Sequence, residues 1–458
     1  MTLWSPRLPE SCDPIYSRIA DALERDVRAG VLVAGSQLPT HRQLAQDLGI
    51  TPVTVTRAYA EAARRGLVES STGRGTYVRL PRRTEASVPA AETDLATNVV
   101  SVPLPSPSKA LLERAGEALI TSVYGASSER HRAAGAAYIA MTTERRIDPS
   151  RVVVTGGTQH ALFLAFAATT KPGDVVLTEA LTYHGAKAVA SLLHVKLEPL
   201  RMDRFGIAPE AFEQAARGHR SERSQGSQGS NGSKVLYTVP SLHNPTGLVV
   251  PEKRRRELAA IAEKHGVTII EDDITGFLFD KTPVPLAAFA PERTIFITGL
   301  GKAIAPALRI GFLTAAEPVL ARVQSALAAN VLMVSPMLAE IAATWIEDGT
   351  VARITARKRE EIELRSRIAR RLLPRTTSDP RSPHLWIELT RRWTADTFAE
   401  EARRRRVRVV SGSAFAVGDE VPRAIRVSIG APASVAELEH ALQILGGIES
   451  SRAEETVI

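Results

Sequence analysis

The chain has 458 residues, of which 44% are apolar and 24% are charged. At roughly 150 residues per domain, this length and composition predict two to four folded domains and exclude a largely disordered chain. The single cysteine, Cys12, excludes a disulfide framework and a four-thiolate zinc site. The N terminus lacks a basic region followed by an apolar run, and no later stretch is long and apolar enough to cross a bilayer, which predicts a soluble cytoplasmic protein.

The positive charge is concentrated at the N-terminal end. Residues 1–83 contain 12 arginines, no lysine and 8 acidic residues, so +4 of the total +8 lies in under a fifth of the chain. Arginine side chains near phosphates release condensed counterions, and this part of the chain is therefore predicted to bind a polyanion. An ordinary soluble surface is the alternative explanation.

The N-terminal segment is predicted to form three helices and a hairpin. Each helix start carries an N-cap residue: Asp13 before Pro14, Thr40 with a capping box to Gln43, and Thr51 before Pro52. In the third helix the apolar residues recur at helical spacing, at Val55, Ala58, Tyr59 and Ala62. The second and third helices form a helix-turn-helix, and residues 67–79 form two strands around a glycine-containing turn.

If the third helix enters the major groove of double-stranded DNA, its outward side presents Val53, Thr56 and Arg57. Side chains near the helix start and on the preceding helix are candidates for phosphate contacts, and the hairpin tip could enter the minor groove. The predicted DNA-contacting residues are Arg42, Thr51, Thr54, Thr56, Arg57 and Arg74. A winged helix that contacts only proteins is the alternative.

Residues 38–79, LPTHRQLAQDLGITPVTVTRAYAEAARRGLVESSTGRGTYVR, resemble the GntR-type winged helix-turn-helix. Members of that family often carry arginine and a polar residue after the capping threonine, where this chain has Pro52 and Val53. The resemblance therefore implies DNA binding, with base contacts shifted toward Thr54, Thr56 and Arg57.

The rest of the chain is predicted to be an α/β domain. Residues 80–97, rich in Pro, Ala, Ser and Thr, are predicted to be a linker. Apolar strands then alternate with helical stretches, which is typical of a mainly parallel sheet covered by helices: they begin near residues 151, 174, 234, 267 and 294. The predicted domains are 1–79 and 98–458.

Polar segments follow several of these strands, where open α/β sheets bind ligands. Near Gly157 and Thr158 a helix start could hold a phosphate, and Asn244 follows the strand that begins near residue 234. Asp272 and Asp273 end another strand, where adjacent carboxylates need a cation. The last segment carries Lys302 and, seven residues later, Arg309.

Together these residues match the needs of pyridoxal 5′-phosphate. Lys302 supplies the amine, Asp272 a carboxylate for the ring nitrogen, and Asn244 a donor to the ring hydroxyl. Thr158 and Arg309 would bind the phosphate. Taken singly, a surface lysine, a turn asparagine and an ion-paired arginine would explain the same positions. No carboxylate–histidine spacing repeats, so no metal site is predicted.

Residues 98–445 resemble fold-type I, class I aminotransferases. The resemblance implies that Tyr183 stacks on the cofactor ring and that Tyr124 reaches the phosphate in the partner subunit's site. It also implies that Arg426 binds the α-carboxylate of an amino acid, for which a strand-edge arginine is the alternative.

The sequence departs from the aminotransferase pattern at residues near the cofactor. Ile274 and Thr275 stand where relatives commonly have a tyrosine that bonds the ring hydroxyl. Gly299 and Gly301 replace hydroxyl residues often found just before the lysine. Cofactor binding is expected to survive these losses, whereas turnover is expected to suffer.

A GntR-type domain joined to an aminotransferase-like domain resembles the MocR subfamily of bacterial transcription regulators. The resemblance implies a cytoplasmic, DNA-binding homodimer that carries pyridoxal phosphate and senses an amino compound by aldimine exchange at Lys302. The alternatives are a working aminotransferase with an appended winged helix, and a cofactor-free repressor whose large domain only dimerises.

Overall fold

The chain folds into two compact units, Met1–Ala91 and Glu92–Ile458. In this computed structural model, the described residues are 4–6, 8, 14–28, 32, 36–65, 67–71, 75–78, 92–125, 127–218 and 234–450. Within these ranges, no helix combines the length and the apolar character that a membrane span requires.

The first unit is a winged helix-turn-helix, as predicted. Its elements are α1 Ile15–Arg28, α2 His41–Leu48, α3 Pro52–Arg64, β1 Val68–Ser71 and β2 Gly75–Val78. The predicted capping box is confirmed, because the Gln43 N–H donates to Thr40 Oγ1 at 3.3 Å and the Thr40 N–H donates back to Gln43 Oε1 at 3.0 Å. Thr51 caps α3 by accepting from the Thr54 N–H at 3.4 Å.

The core of the first unit confirms the predicted inner face of α3. Its buried residues are Val55, Ala58, Tyr59 and Ala62. They pack against apolar side chains of the other two helices and the hairpin, among them Ile19, Leu23, Leu44 and Val78. The Tyr59 hydroxyl donates to the Pro39 carbonyl at 2.9 Å and ties α3 to the start of α2. The opposite face of α3 is consequently exposed to solvent.

The second unit is an α/β domain with additional small sheets. Its strands are β3 Thr93–Asp94, β4 Val152–Thr155, β5 Val175–Glu179, β6 Lys196–Leu200, β7 Met202–Asp203, β8 Gly206–Ile207, β9 Val235–Thr238, β10 Thr268–Asp272, β11 Thr294–Gly299, β12 Gly311–Thr314, β13 His384–Glu388, β14 Val407–Arg408, β15 Val410–Ser411 and β16 Ala424–Ser428.

Helices of the second unit cover these sheets. They are α4 Lys109–Thr121, α5 Glu129–Thr143, α6 Thr158–Thr169, α7 His184–Leu192, α8 Pro209–Gly218, α9 Glu252–His265, α10 Leu286–Phe289, α11 Leu300–Ala303, α12 Glu317–Val331, α13 Pro336–Glu347, α14 Thr350–Leu372, α15 Ala395–Arg404 and α16 Val435–Ser450.

The central sheet has seven strands in the order β4-β12-β11-β10-β9-β5-β6. Its strands pair in parallel except for β12, which is antiparallel to both of its neighbours. All residues of β4, β9, β11 and β12 are buried, which explains their nearly continuous apolar sequence. The predicted mainly parallel sheet is therefore confirmed.

The direction of these strands assembles the site. Because β4, β5, β9, β10 and β11 run the same way, the segments that follow them meet at one edge of the sheet. The reversed strand β12 begins at that edge with Gly311, two residues after Arg309. The predicted residues of five distant segments are thereby brought to one place.

A smaller antiparallel sheet, β13-β16-β15, carries Arg426 on its central strand. Ile425 and Val427 belong to the apolar core that includes residues of α14 and α16. Side chains alternate across a strand, so Arg426 lies on the opposite face. The sheet thus separates a packed core from the arginine.

The predicted start of the large domain is corrected by the structure. The sequence predicts that residues 92–97 are part of the linker 80–97, whereas the structure groups them with the second unit. Thr93 and Asp94 pair in parallel with Val407 and Arg408, far along the chain. This short strand has no periodicity of its own, which is why the sequence pattern did not indicate it. Residues 80–91 lie outside the described residues.

Candidate functional site

Lys302 lies in a cavity at the carboxyl edge of the central sheet. It is carried by α11, the single helical turn that follows β11. The cavity combines predicted and unpredicted side chains: Asn98, Tyr183, Val239, Leu242, Asn244, Asp272, Ile274, Thr275, Lys302 and His384. The structure therefore brings together the amine, the carboxylate, the amide and the aromatic ring that the sequence singled out.

Asp272 has one carboxylate oxygen engaged and one without a protein partner. The Tyr237 hydroxyl donates to Asp272 Oδ2 at 2.8 Å. Among the described residues, buried Asp272 Oδ1 has no hydrogen-bond partner. A buried acceptor of this kind is costly unless a ligand supplies a donor. The protonated ring nitrogen of pyridoxal phosphate is a donor of that type, so the residue present fits the cofactor.

Asp273 faces a different environment. Its carboxylate oxygens lie 2.9 Å from the point that a Cβ on Gly276 would occupy. Burial raises the pKa of Asp273 to about 7, and the negative charge of Glu271 adds to the rise while Arg255 opposes it. Asp272 lines the cavity, whereas Asp273 is not among the residues that line it.

The electrostatics of the cavity favour a reactive amine. Burial lowers the pKa of Lys302, and the positive charge of Arg426 lowers it further, while Asp272 acts in the opposite direction. Burial raises the pKa of Asp272, opposed by the Tyr237 hydrogen bond and by the charge of Lys302. The neutral amine, which is the nucleophilic form, is thus more accessible near neutral pH than in an exposed lysine.

Arg309 lies beside the N-terminus of α6, where the sequence predicts a phosphate site. Gly157 precedes the helix with φ +93°, and a Cβ there would lie 3.1 Å from the Arg309 guanidinium carbon. Arg309 Nη2 also donates to the Gly156 carbonyl at 3.2 Å. A Cβ on Gly311 would lie 2.9 Å from the Thr158 nitrogen, so only glycine fits there. Backbone N–H groups and a guanidinium at one helix start can bind a phosphate group.

Arg426 is buried, and its guanidinium donates to two separate segments of the chain. Its Nη1 donates to Asn244 Oδ1 at 2.9 Å, and its Nη2 donates to the Ala96 carbonyl. The guanidinium carbon lies 5.1 Å from the centre of the Phe415 ring. Among the described residues, Arg426 Nε has no acceptor. The guanidinium therefore keeps a donor that a carboxylate ligand could use.

Two predicted tyrosines have different surroundings. Tyr183 lines the cavity, and burial raises its pKa with a further contribution from the charge of Asp272. Tyr124 is 81% exposed in the segment after α4 and does not line the cavity. Its predicted contact with a partner subunit's site stays a prediction.

Several cavity residues were missed by the sequence analysis. Asn98 lies at the predicted start of the large domain, and its Nδ2 is 3.0 Å from His384 Nδ1. His384 begins β13, where a lone histidine in a strand gives no sequence signal. Tyr237 could have been noticed as a phenol inside an otherwise apolar strand next to the paired carboxylates.

The outer surface of α3, which is predicted to contact DNA, carries both threonines and arginines. Arg42 and Arg57 are exposed. The hydroxyl groups of Thr51 and Thr54 are hydrogen-bonded to each other at 2.9 Å. Thr56 Oγ1 lies 3.2 Å from His41 Nδ1 and donates to the Pro52 carbonyl at 3.0 Å. The threonines therefore cap and fix the helix start, while the arginines are exposed. Arg74 lies outside the described residues.

Substitution by serine should affect protein stability differently at the two glycines before Lys302, Gly299 and Gly301. A Cβ on Gly299 would lie 2.9 Å from Gly311 Cα, the Ile310 oxygen and Thr158 Cγ2, whereas nothing lies within 4 Å of a Cβ on Gly301. We expect Gly299→Ser to lower the free energy of unfolding by about 1–3 kcal/mol. Gly301→Ser should change it by less than about 1 kcal/mol. Urea unfolding of both variants measures the difference, and equal stability would contradict the close packing at Gly299.

Comparison with known proteins agrees with this architecture. Residues 92–445 match the family model "Aminotransferase class I and II", and residues 15–78 match "Bacterial regulatory proteins, gntR family". The chain is 30% identical to the uncharacterized HTH-type transcriptional regulator YdeF of Bacillus subtilis, over 96% of each chain. It is 25% identical to the probable rhizopine catabolism regulatory protein MocR of Rhizobium meliloti, over 66% of this chain and 65% of the relative.

Solved structures resemble the larger unit. An archaeal alanine:glyoxylate aminotransferase superposes with a TM-score of 0.70 at 23% identity, covering 81% of this chain and 92% of the other. This likeness shows the fold. The matched family models and the relative from Bacillus subtilis show that the chain belongs to the class I and II aminotransferase family and carries a helix-turn-helix domain of the gntR family of bacterial regulatory proteins.

Proposed function

We propose that the chain is a transcription regulator that holds pyridoxal phosphate at Lys302 and changes its DNA binding when an amino compound enters that site. One observation carries the proposal: the segment that follows the linker contacts the same cavity as Lys302. Asn98 lines the cavity, and the Ala96 carbonyl accepts from Arg426. The ligand site and the chain leading to the DNA-binding domain thus share side-chain contacts.

The cofactor would be held by groups of this chain at three points. The α6 start with Thr158 and Arg309 would bind its phosphate, Asp272 Oδ1 its ring nitrogen, and Lys302 its aldehyde carbon. When bound, the aldehyde supplies a reversible covalent bond to primary amines. Asn244 and Tyr183 would confine the ring, since both line the cavity.

The effector is proposed to be an amine that also bears a carboxylate. Arg426 is 2% exposed, and burial lowers its pKa to about 10, so the guanidinium remains charged at neutral pH. A buried guanidinium with an unused Nε–H favours an anion with two oxygens in one plane. A carboxylate there would compete with the Asn244 and Ala96 contacts.

The segment from Asp94 to Asn98 can transmit this competition. Asp94 Oδ1 accepts from the backbone N–H groups of Ala96 and Thr97 at 2.8 and 2.9 Å. The Ser428 N–H donates to the Leu95 carbonyl at 2.7 Å. The segment is therefore a fixed turn whose position depends on the strand that carries Arg426.

Homodimerisation is proposed through the surface around the end of α4. Leu119, Ile120, Val123 and Tyr124 are 59%, 84%, 85% and 81% exposed. Adjacent apolar side chains this exposed are typical of a protein interface. A second copy would cover them and would place two DNA-reading helices for paired half-sites.

Replacing Asp272 should weaken the cofactor. We expect Asp272→Asn to raise the Kd for pyridoxal phosphate about 10- to 100-fold, because the amide cannot keep a ring nitrogen protonated through a charged hydrogen bond. Asp273→Asn is the matched control and should change the Kd less than about threefold. Equilibrium dialysis measures both values. A larger effect at Asp273 would reassign the ring partner.

Sensing should require Lys302 but DNA binding should not. In the wild type, carboxylate-bearing amines should change both the visible absorption of the bound cofactor and the affinity for upstream DNA. The two changes should have the same midpoint in amine concentration. Lys302→Ala should abolish both responses while the basal DNA affinity stays within about twofold. Arg57→Ala should keep the absorbance response and lose about tenfold in DNA affinity.

Fluorescence anisotropy with labelled DNA and an amine titration provides these measurements. Sustained transfer of amino groups to 2-oxo acids would favour the aminotransferase alternative. An unchanged amine response in Lys302→Ala would contradict sensing through this lysine.

The turn at Asp94 should separate binding from signalling. We expect Asp94→Ala to keep the amine-dependent absorbance change but to reduce its effect on DNA affinity at least about threefold, because the turn next to Arg426 loses its acceptor. Asp203→Ala is the control: Asp203 Oδ1 accepts from the Phe205 N–H at 2.7 Å in another turn of the same unit. Equal loss of signalling in both variants would contradict a specific role for Asp94.

A further inference from the structure

A second lysine holds the peptide that carries Lys302. Lys358 lies on α14 and is only 2% exposed. Its Nζ donates to the Lys302 carbonyl at 2.7 Å and to the Ile304 carbonyl at 2.9 Å. Lys358 therefore contacts the backbone of Lys302 from the neighbouring helix.

The turn that carries Lys302 needs such support. The helix α11 has only four residues, Leu300–Ala303, and an isolated turn of this length does not form by itself. Its last carbonyl groups have no partners within the helix. An ammonium at this end satisfies two carbonyls and lies at the negative end of the turn. Lys358 consequently fixes the direction in which the Lys302 side chain leaves the backbone.

The burial of Lys358 has an electrostatic cost that its contacts offset. Burial lowers its pKa to about 8. The charge is compensated by two carbonyl dipoles rather than by a carboxylate. Replacing the ammonium would leave both carbonyls without donors inside the protein, where unmade hydrogen bonds are costly.

A second buried cation, Arg365, lies on α14 and contacts the segment that follows β16. Arg365 is 3% exposed, and its Nη1 donates to the Ile429 carbonyl at 3.0 Å and to the Pro432 carbonyl at 2.8 Å. Ile429 directly follows β16, three residues after Arg426. Residues seven apart lie on the same face of a helix, about two turns from each other.

We propose that α14 sets the spacing between the amine site and the carboxylate site, with Lys358 and Arg365 as positioning residues. Lys358 places Lys302, and Arg365 places the strand end that carries Arg426. Because α14 would fix the spacing of the two sites, it would select effectors by the distance between their own amino group and carboxylate. This inference rests on the proposed function, because it concerns a ligand that contacts both residues.

The two positioning residues should affect different measurements. Lys358→Met should slow capture of pyridoxal phosphate by the apoprotein about tenfold, since the Lys302 peptide loses both donors. Arg365→Met should instead reduce the preference for an amino acid over the amine that lacks its carboxylate. The probes are L-alanine with ethylamine, and L-phenylalanine with 2-phenylethylamine. We expect each affinity ratio to fall about tenfold.

Lys234→Met is the matched control. Lys234 Nζ also donates to two carbonyls, of Ala216 at 2.7 Å and of His265 at 3.3 Å, at the start of β9. The control should leave both cofactor capture and the affinity ratios unchanged. Thermal unfolding of each apoprotein records how much stability every variant loses.

The outcomes separate positioning from simple stabilisation. If Lys358→Met and Lys234→Met lose similar stability while cofactor capture and the affinity ratios match the wild type, the inference is overturned. If either methionine variant does not fold, Lys358→Gln and Arg365→Lys, which keep fewer donors, are measured and should show smaller changes in the same directions. A wild type that captures no cofactor would overturn the proposed function and this inference together.

Discussion

The site depends on a positive and a negative charge that are buried next to each other and incompletely satisfied. Asp272 and Lys302 line one cavity, where burial destabilises the charged form of each. Their attraction offsets part of that cost, and the phenol of Tyr237 offsets more by donating to one carboxylate oxygen. The other oxygen is left for a ligand. A cationic heteroaromatic ring completes this arrangement better than water, which explains why a ring cofactor fits it.

Much of the site could be predicted because its residues follow buried strands of like direction. Thr158, Asn244, Asp272 and Lys302 each come shortly after an apolar run, and parallel strands place those positions at one edge. The helix caps at Thr40 and Thr51 were equally local signals. Such features depend on a few neighbouring residues, which is why the sequence alone reveals them.

The features that could not be predicted depend on contacts between residues far apart in the chain. Thr93 and Asp94 form a strand only because residues 407 and 408 lie beside them. Lys358 and Arg365 belong to a helix with many charged residues, TVARITARKREEIELRSRIARRL, in which the sequence does not distinguish buried cations from exposed ones. Their burial follows from the turn after β11 and the end of β16, which no pattern within the helix encodes.

The departures from the aminotransferase pattern have a packing explanation that bears on function. Gly299 has no room for a hydroxyl side chain, because Gly311, Ile310 and Thr158 approach its backbone. Thr275 lines the cavity, but its hydroxyl donates to the Ser241 carbonyl at 2.7 Å and is committed there. The groups that could assist proton transfer at the ring hydroxyl are thus fewer, whereas the groups proposed to bind the ring and a carboxylate are all present. Such a balance favours reversible amine binding over sustained turnover, as a sensor requires.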